Sequence, residues 1–185
     1  MSEEPKVRGM LVQGLASFVE KRFEPGLRGR IMEAISADVR AALPTIQKND
    51  WYPRRYALDF CRAIASVTGD DKNIELAGTH IANEATNTFM KLLIKVLTPK
   101  MFARQFPEFW KKYNSHGVIT PDTSRIDERY AGFRIDGTFD YLHLLAVGFL
   151  VFVFDALGKK GVQVTHNVPP GQSNVADLLL EVTWS

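Results

Sequence analysis

Histidine is the residue type in this sequence that can take the most chemical roles, since a neutral imidazole can bind a metal or haem and can transfer protons near neutral pH. The chain has four of them. His143 is distinctive because it is the single polar side chain between Asp140 and Asp155 in an otherwise apolar stretch. A core histidine with a hydrogen-bonding partner is the favoured interpretation, and an axial or substrate ligand is the alternative.

The other three histidines give weaker signals. His80 lies on a polar helical stripe together with Glu84, Asn87 and Lys91. Such a stripe is typical of a solvated helix face rather than of a ligand set. No two histidines have the His-Glu-x-x-His or His-x-x-Glu-His spacing of a zinc site, so the sequence predicts no metal centre.

No nucleophile lies in a recognisable catalytic setting. Cys61 is the one cysteine, and its place beside the apolar face of a predicted helix favours a buried, inert thiol. The sequence has no Gly-x-Ser-x-Gly elbow and no phosphate-binding loop. Asp70 and Asp71 are better explained as a helix cap than as an acid–base pair. The sequence therefore predicts a domain that is not an enzyme.

Two features favour binding. Twelve phenylalanines, three tryptophans and five tyrosines supply enough aromatic surface to line an apolar pocket between helices and a sheet, although an ordinary aromatic core is favoured for any one of them. The candidate residues for such a ligand site are His143, Gly148, Phe89 and Trp110. Residues 100–113 mix basic and aromatic side chains, which is typical of a helix buried on one side; a helix that binds a partner protein is the alternative.

The composition narrows the class of protein. A length of 185 residues fits a single domain over residues 1–185, and 45% hydrophobic with 24% charged residues are ordinary globular values. The net charge of +2 is too balanced to predict nucleic acid or an acidic membrane as a partner. The N-terminus lacks the apolar stretch of a signal peptide, and no apolar run reaches the roughly 20 residues of a membrane span. The expected compartment is the cytoplasm.

The stretch from Thr138 to Gly158 is the element around which the predicted fold is organised. It is apolar on every side, which indicates a helix buried in the core, with a buried strand as the alternative over residues 149–154. We expect Thr138 to cap its N-terminus and Gly158 to end it in a left-handed conformation. Gly148 costs roughly 1 kcal/mol of helix propensity relative to alanine. A closely packed neighbour is the favoured reason for this glycine, and room for a small apolar ligand is the alternative.

The remaining periodicity predicts the order of elements. Five helices come first, over residues 7–23 (with a short extended start as an alternative), 27–43, 50–67, 72–97 and 100–113. Strands over 118–119 and 125–135, with a possible bulge at Gly132, precede the core helix, and strands over 161–168 and 175–184 follow it. This order predicts an α+β domain in which a strand–strand–helix–strand–strand antiparallel sheet packs against the N-terminal helices.

Four short motifs of the chain are similar to those of a known superfamily. They are Val7-Arg-Gly9, Trp51-Tyr-Pro53, Phe109-Trp-Lys-Lys-Tyr113 and Leu179-Leu-Glu-Val-Thr-Trp184. The superfamily includes the 4-vinyl-reductase-like ligand-sensing domains, the haem nitric-oxide/oxygen binding (H-NOX) domains and the small subunits of the TRAPP transport complex. The chain most closely resembles an uncharacterised domain family abundant in myxobacteria. The resemblance implies a sensor or protein-interaction domain that forms a homodimer or binds a partner protein.

Haem is the cofactor that a resemblance to H-NOX domains implies, held there by a helical histidine and a Tyr-x-Ser-x-Arg signature. Here Tyr113-Asn-Ser115 continues with His116 and Gly117, so the arginine is absent. Residues 169–184 also lack the cysteines that 4-vinyl-reductase-like sensors often carry. We therefore predict a non-catalytic domain without a cofactor that binds a small apolar ligand. The alternative is a haem-binding, gas-sensing domain, or an enzyme-like small-molecule site, that uses His143.

Overall fold

The computed structural model describes residues 4–86, 97–137, 140–169, 172 and 177–185. Its helices are α1 (Gly9–Arg22), α2 (Pro25–Ala34), α3 (Ala37–Ala42), α4 (Arg55–Thr68), α5 (Lys72–Ala85), α6 (Pro99–Tyr113) and α7 (Leu142–Ala156). Its strands are β1 (Lys6–Arg8), β2 (Trp51–Pro53), β3 (Val118–Asp122), β4 (Tyr130–Asp136), β5 (Gln163–His166) and β6 (Asp177–Thr183). The mixture of helices and antiparallel sheet confirms the predicted α+β class.

The four C-terminal strands form one antiparallel sheet in the order β3–β4–β6–β5. Leu178, Leu180 and Val182 of β6 are fully buried on one face, as the period of two predicts. Helix α6 packs against β3, and α7 packs against β5 and β6. Gly132 pairs in regular register with both neighbouring strands, so the predicted bulge at this residue is wrong.

Helix α7 joins the two hydrophobic clusters found among the described residues. Ten of its fifteen residues are buried. Leu142 and Leu145 pack with α1, α4 and α5, whereas Leu150 and Phe154 pack against the sheet. A helix covered from both sides has to be apolar all round, which is why its sequence carries no polar face. The predicted core helix is confirmed, and the strand alternative for residues 149–154 is wrong.

The C-terminal end of α7 is also as predicted. Gly158 has a φ of 77°, its N–H donates to the carbonyl of Asp155, and the N–H of Lys159 donates to the carbonyl of Phe154. These bonds satisfy carbonyl groups that the end of a helix leaves without intrahelical partners. At the other end Tyr141 precedes the first helical residue with a φ of 36°. Thr138, the predicted cap, lies outside the described residues.

Residues 27–43 do not form the single predicted helix. They fall into α2 and α3, because Ile35 and Ser36 between them are extended, with ψ near 141° and 145°. The guanidinium of Arg40 donates to the carbonyls of Met32 and Glu33 at 3.1 and 2.8 Å. That side chain satisfies the C-terminal carbonyls of α2 and so stabilises the break.

Trp51–Pro53 forms a strand instead of the predicted start of the third helix. It pairs antiparallel with β1, so that Val7 lies opposite Tyr52. A residue before proline is biased towards extended conformations, which favours a strand at Tyr52. Helix α4 begins only at Arg55. The extended start of the chain, one of the two alternatives for the first element, is β1.

The long helix predicted over residues 72–97 is described only in its first part. Helix α5 ends at Ala85, and Thr86 is extended, with a φ of −98° and a ψ of 100°. Residues 87–96 lie outside the described residues, and with them the predicted positions Asn87, Phe89 and Lys91.

Candidate ligand site

Helices α5 and α7 pack with their backbones in contact. A Cβ on Gly148 would lie 1.8 Å from the carbonyl oxygen of Glu75, and a Cβ on Gly78 would lie 2.2 Å from that of Leu145. Only glycine fits at such distances. The hydroxyl of Thr79 donates to the carbonyl of Gly148 at 3.0 Å. Of the two alternatives for Gly148, the structure has the close packing.

Beside this contact, helices α1, α5, α6 and α7 line a cavity of about 120 Å³ that is partly open to solvent, since Ala85 in its lining is exposed and Met10 is half-buried. We call it the aromatic cavity. Its aliphatic lining comes from α1, α5 and α7 and includes Met10, Leu11, Ile81, Ala82, Leu142, Leu145 and Ala146. Among the described residues, its aromatic lining consists of Phe106, Phe109, Trp110, Tyr113 and Phe149. Among the described residues that line it, only Tyr113, Trp110 and Asn114 carry a polar side-chain group, and none is charged.

A row of parallel rings forms one wall of the aromatic cavity. Phe149 of α7 lies between Phe106 and Phe109 of α6, with centroid distances of 5.7 and 5.4 Å and interplanar angles of 12° and 23°. The ring of Tyr113 lies 4.8 Å from that of Phe109. The spacing of three and four residues along α6 places its three rings on one helix face. That spacing is a signal from which the wall could have been predicted.

The C-terminal end of α6 is bonded to strand β1. The amide of Ser115 donates to the carbonyl of Lys6 at 2.9 Å, and the amide of Lys6 donates to the hydroxyl of Ser115 at 2.7 Å. Nε of Arg8 donates to the carbonyl of Lys112 at 3.0 Å, and its guanidinium lies 4.0 Å from the ring centre of Trp51. A wall of the cavity is therefore linked to the ribbon of β1 and β2.

The residues predicted to form a ligand site are not brought together. Trp110 lines the aromatic cavity, whereas Gly148 lies in the contact between α5 and α7. His143 is 3% exposed, and its ring lies 4.8 Å from that of His166 at an angle of 74°. Phe89 lies outside the described residues. The rings of the parallel row, Met10 and Leu11 are not among the predicted site residues, although they line the cavity.

His80 contacts α1 instead of facing solvent alone. Its Nε2 lies 3.2 Å from the hydroxyl of Ser17 and 3.3 Å from a carboxylate oxygen of Glu84, which also pairs with Lys21. Partial burial favours the neutral acid, but hydrogen bonds from Lys21 and Ser17 outweigh it and lower the pKa of Glu84. A serine–histidine–acid relay uses opposite nitrogens of the imidazole. Because both partners meet the same nitrogen here, the cluster joins two helices and is not built for nucleophilic attack.

Other chemical groups give no site in the described part of the chain. Cys61 is fully buried in α4, and burial raises the pKa of its thiol far above the usual range. Among the described residues, no three His, Cys, Asp or Glu side chains come together in a way that could hold a metal ion. None of the described helices is both long enough and apolar enough to cross a membrane.

Comparison with known proteins gives matches only at the level of structure. No protein-family model matches the sequence, and no curated protein matches it. The Fe(II) unliganded H-NOX protein from K. algicida superposes with a TM-score of 0.73 at 11% identity, covering 96% of each chain. An H-NOX protein from S. oneidensis in the Fe(II)NO state gives 0.69 at 12% identity, covering 96% of this chain and 99% of the other. The chain has the H-NOX fold.

Similarity to H-NOX domains extends to a third structure. An oxygen-binding H-NOX domain related to soluble guanylate cyclases, solved as the oxygen complex, gives a TM-score of 0.63 at 8% identity over 96% of this chain and 95% of its own. Identities this low establish the H-NOX fold alone. The relation to the 4-vinyl-reductase-like sensors, to the TRAPP subunits and to the myxobacterial family stays a prediction.

The H-NOX comparison corrects the prediction that the domain has no cofactor. The solved structures with this fold are described as Fe(II), NO-ligated and oxygen-binding proteins, and one of them concerns haem redox potential and porphyrin distortion. The prediction was based on the incomplete Tyr113-Asn-Ser115 signature. It is wrong because a missing motif does not exclude the group that a fold carries in its other members.

Proposed function

We propose that this chain is a non-catalytic sensor domain with the H-NOX fold, and that its ligand site is the aromatic cavity. The cavity is the observation that carries the proposal. It is apolar and lies between helices at the edge of the core, and well-packed cores leave few spaces larger than a water molecule. Pockets lined by aromatic side chains between helices are usual binding sites for small molecules.

A sensor also needs a path from its ligand to its surface, and α6 offers one. The helix supplies Phe106, Phe109 and Tyr113 to the cavity, and its C-terminal end is bonded to β1 through Lys6 and Ser115. Met10 and Leu11, directly after β1, also line the cavity. A ligand that moves α6 or the start of α1 therefore acts on the ribbon of β1 and β2, where Trp51 is 37% exposed.

Haem binding with gas sensing is the second candidate function, and the fold comparison favours it. The neighbours in that comparison are described with Fe(II), NO and oxygen. Of the axial groups that proteins offer to haem iron, Met10 and Tyr113 line the aromatic cavity. None of the four histidines lines it; His143 instead packs on His166, and His80 on Ser17.

The described residues do not fit a haem in this arrangement of the helices. Sites for ligands of drug size take about 300 to 1,000 Å³, whereas the aromatic cavity has about 120 Å³. The contacts of Gly78 and Gly148 also hold α5 and α7 together beside it. The geometry thus favours a small apolar ligand, and the fold comparison favours haem.

Xenon tests the aromatic cavity as a ligand site, because it enters apolar cavities regardless of their detailed chemistry. We expect xenon to shift the methyl resonances of Leu11, Ile81 and Leu145, and to change amide hydrogen exchange in β1 and β2. The variant Ala82→Leu, which fills the cavity, abolishes both effects, whereas Ala41→Leu on the exposed side of α3 preserves them. Methyl resonances that ignore xenon in the wild-type protein refute the proposed site.

A haem titration separates the two candidate functions. The chain is expressed with haem supply, and its Soret absorbance is compared with that of His143→Ala and of a control, His116→Ala in an exposed turn. A Soret band that His143→Ala removes and His116→Ala keeps establishes haem on His143. A colourless protein that ignores added haem refutes the haem candidate and leaves the small apolar ligand.

The predicted homodimer stays a prediction, as does the predicted compartment. Light scattering at micromolar concentration checks the homodimer, and a mass equal to that of a monomer would refute it.

A further inference from the structure

We infer that the aromatic cavity selects a neutral molecule with a single aromatic ring. The inference rests on the proposed function, since it assigns a chemical class to the ligand of the same site. Three properties of the cavity carry it: its volume, the parallel rings of its wall and the absence of charge among its described lining residues.

The volume limits the ligand to about one ring. An engineered apolar cavity of about 150 Å³ in another protein takes up benzene or xenon, and the aromatic cavity has about 120 Å³. A fused pair of rings exceeds that volume, so it has to move a helix or extend out of the open side of the cavity.

The wall favours a planar, aromatic guest over an aliphatic one of equal size. Phe106, Phe149 and Phe109 present near-parallel rings, and Trp110 and Tyr113 extend the aromatic surface. Aromatic rings prefer offset-stacked or edge-to-face contacts, which stabilise a pair beyond the burial of its area. A saturated ring of the same volume fills the space but cannot make these contacts.

The lack of charge excludes ionic ligands. A carboxylate or ammonium group in the cavity would lose its hydration, and no charged side chain among the described lining residues would replace it. Asn114 and the hydroxyl of Tyr113 are neutral groups that can bond at most to a neutral polar substituent. The site therefore distinguishes a hydrocarbon ring from the same ring bearing an acid.

Four probes test the inference on the full chain, with toluene as the reference. Methylcyclohexane lacks the π system of toluene, benzoate carries a charge, and naphthalene has a second ring. Binding is measured by calorimetry and by the shift in Tm. Toluene at a hundredfold excess over its Kd is expected to raise Tm by about 5 to 11 °C. Methylcyclohexane is expected to bind about 2- to 12-fold more weakly than toluene, the range that an aromatic pair contributes. Benzoate and naphthalene are expected to leave Tm unchanged.

Variants locate the binding. Ala82→Leu fills the buried part of the cavity, and Ala85→Leu narrows it at an exposed lining position, so that one variant remains informative if the other does not fold. Either one is expected to abolish the toluene shift, while Ala41→Leu on α3 retains it. A toluene shift that survives both cavity variants overturns the assignment.

The outcomes distinguish the inference from the proposed function. Methylcyclohexane binding as tightly as toluene, or benzoate binding at all, overturns the aromatic and neutral class. If xenon binds while toluene does not, the ligand site stands and the inferred class is wrong. If none of these binds, the proposed ligand site itself fails.

Discussion

The substitution Gly148→Ala tests the contact between α5 and α7 with a single methyl group. The added Cβ would lie 1.8 Å from the carbonyl oxygen of Glu75 and 2.8 Å from the amide nitrogen of Thr79. Ordinary van der Waals contact begins at 3.4 Å, so the two helices have to separate locally by about 1.6 Å. Both obstacles are backbone atoms in a helix, which cannot rotate away as the end of a side chain can.

The expected change in the free energy of unfolding of Gly148→Ala follows from two opposing effects. Alanine gains up to about 1 kcal/mol of helix propensity over glycine. Overpacking a core costs about 1 to 3 kcal/mol or more, and a gap of even 0.5–1 Å loses about a quarter to a half of the dispersion energy of the separated atoms. With a required displacement above that gap, we take the upper end of the cost and expect a net loss of about 2 kcal/mol. For a chain of 185 residues this lowers Tm by about 4 to 8 °C.

Thermal and urea unfolding of ligand-free protein measure this loss. Gly29→Ala is the matched control, since Gly29 lies within α2 and a Cβ there would meet nothing within 4 Å. That control is expected to stabilise the protein by up to about 1 kcal/mol. Adding Gly78→Ala to Gly148→Ala is expected to cost less than Gly78→Ala alone, because the helices have already separated. A Gly148→Ala protein that melts at or above the wild-type temperature refutes the packing argument.

Two further predictions concern side chains with shifted pKa values. Burial raises the pKa of the Cys61 thiol, so a thiol reagent is expected to label it in denaturant and not in native buffer; labelling at equal rates would contradict its burial. Glu84 has its pKa lowered in the folded state from a usual value near 4.5, so its stabilising contribution is present above that pH and is lost as the pH falls through the folded pKa. The difference in free energy of unfolding between wild type and Glu84→Gln, measured in urea over a pH series, is therefore expected to shrink below about pH 4.5. A difference that stays constant to about pH 3 would show that the charge of Glu84 contributes nothing.

The parts of the fold that the sequence predicts well are those that depend on neighbours along the chain. Helix α7 follows from its apolar run, and its end follows from Gly158 and the two lysines behind it. The strand β6 follows from alternation between buried and exposed positions. In each case the spacing of apolar residues indicates which side chains are buried. A helix covered on all sides is apolar throughout, whereas a strand covered on one face alternates with a period of two.

The parts that the sequence does not predict depend on partners far along the chain. Trp51–Pro53 becomes a strand because Lys6–Arg8 pairs with it, and local propensity contains no information about that pairing. The aromatic cavity is likewise assembled from four helices, and neither Met10 nor Phe149 carries a signal that the two residues share a space. His143 was distinctive for its apolar neighbours, yet it contacts the ring of His166, which comes from a strand after the helix.

The cofactor prediction failed for a different reason: it was drawn from one incomplete motif, whereas the fold persists at 8 to 12% identity because its core requires only apolar side chains of suitable size. Gly78 belongs both to the contact between α5 and α7 and to the aromatic cavity, since it permits the contact with Leu145 and also lines the cavity. Any change that separates α5 from α7 therefore alters the space available to a ligand along with the stability of the core. The close packing of α5 and α7 and the lining of the aromatic cavity therefore share the residue Gly78.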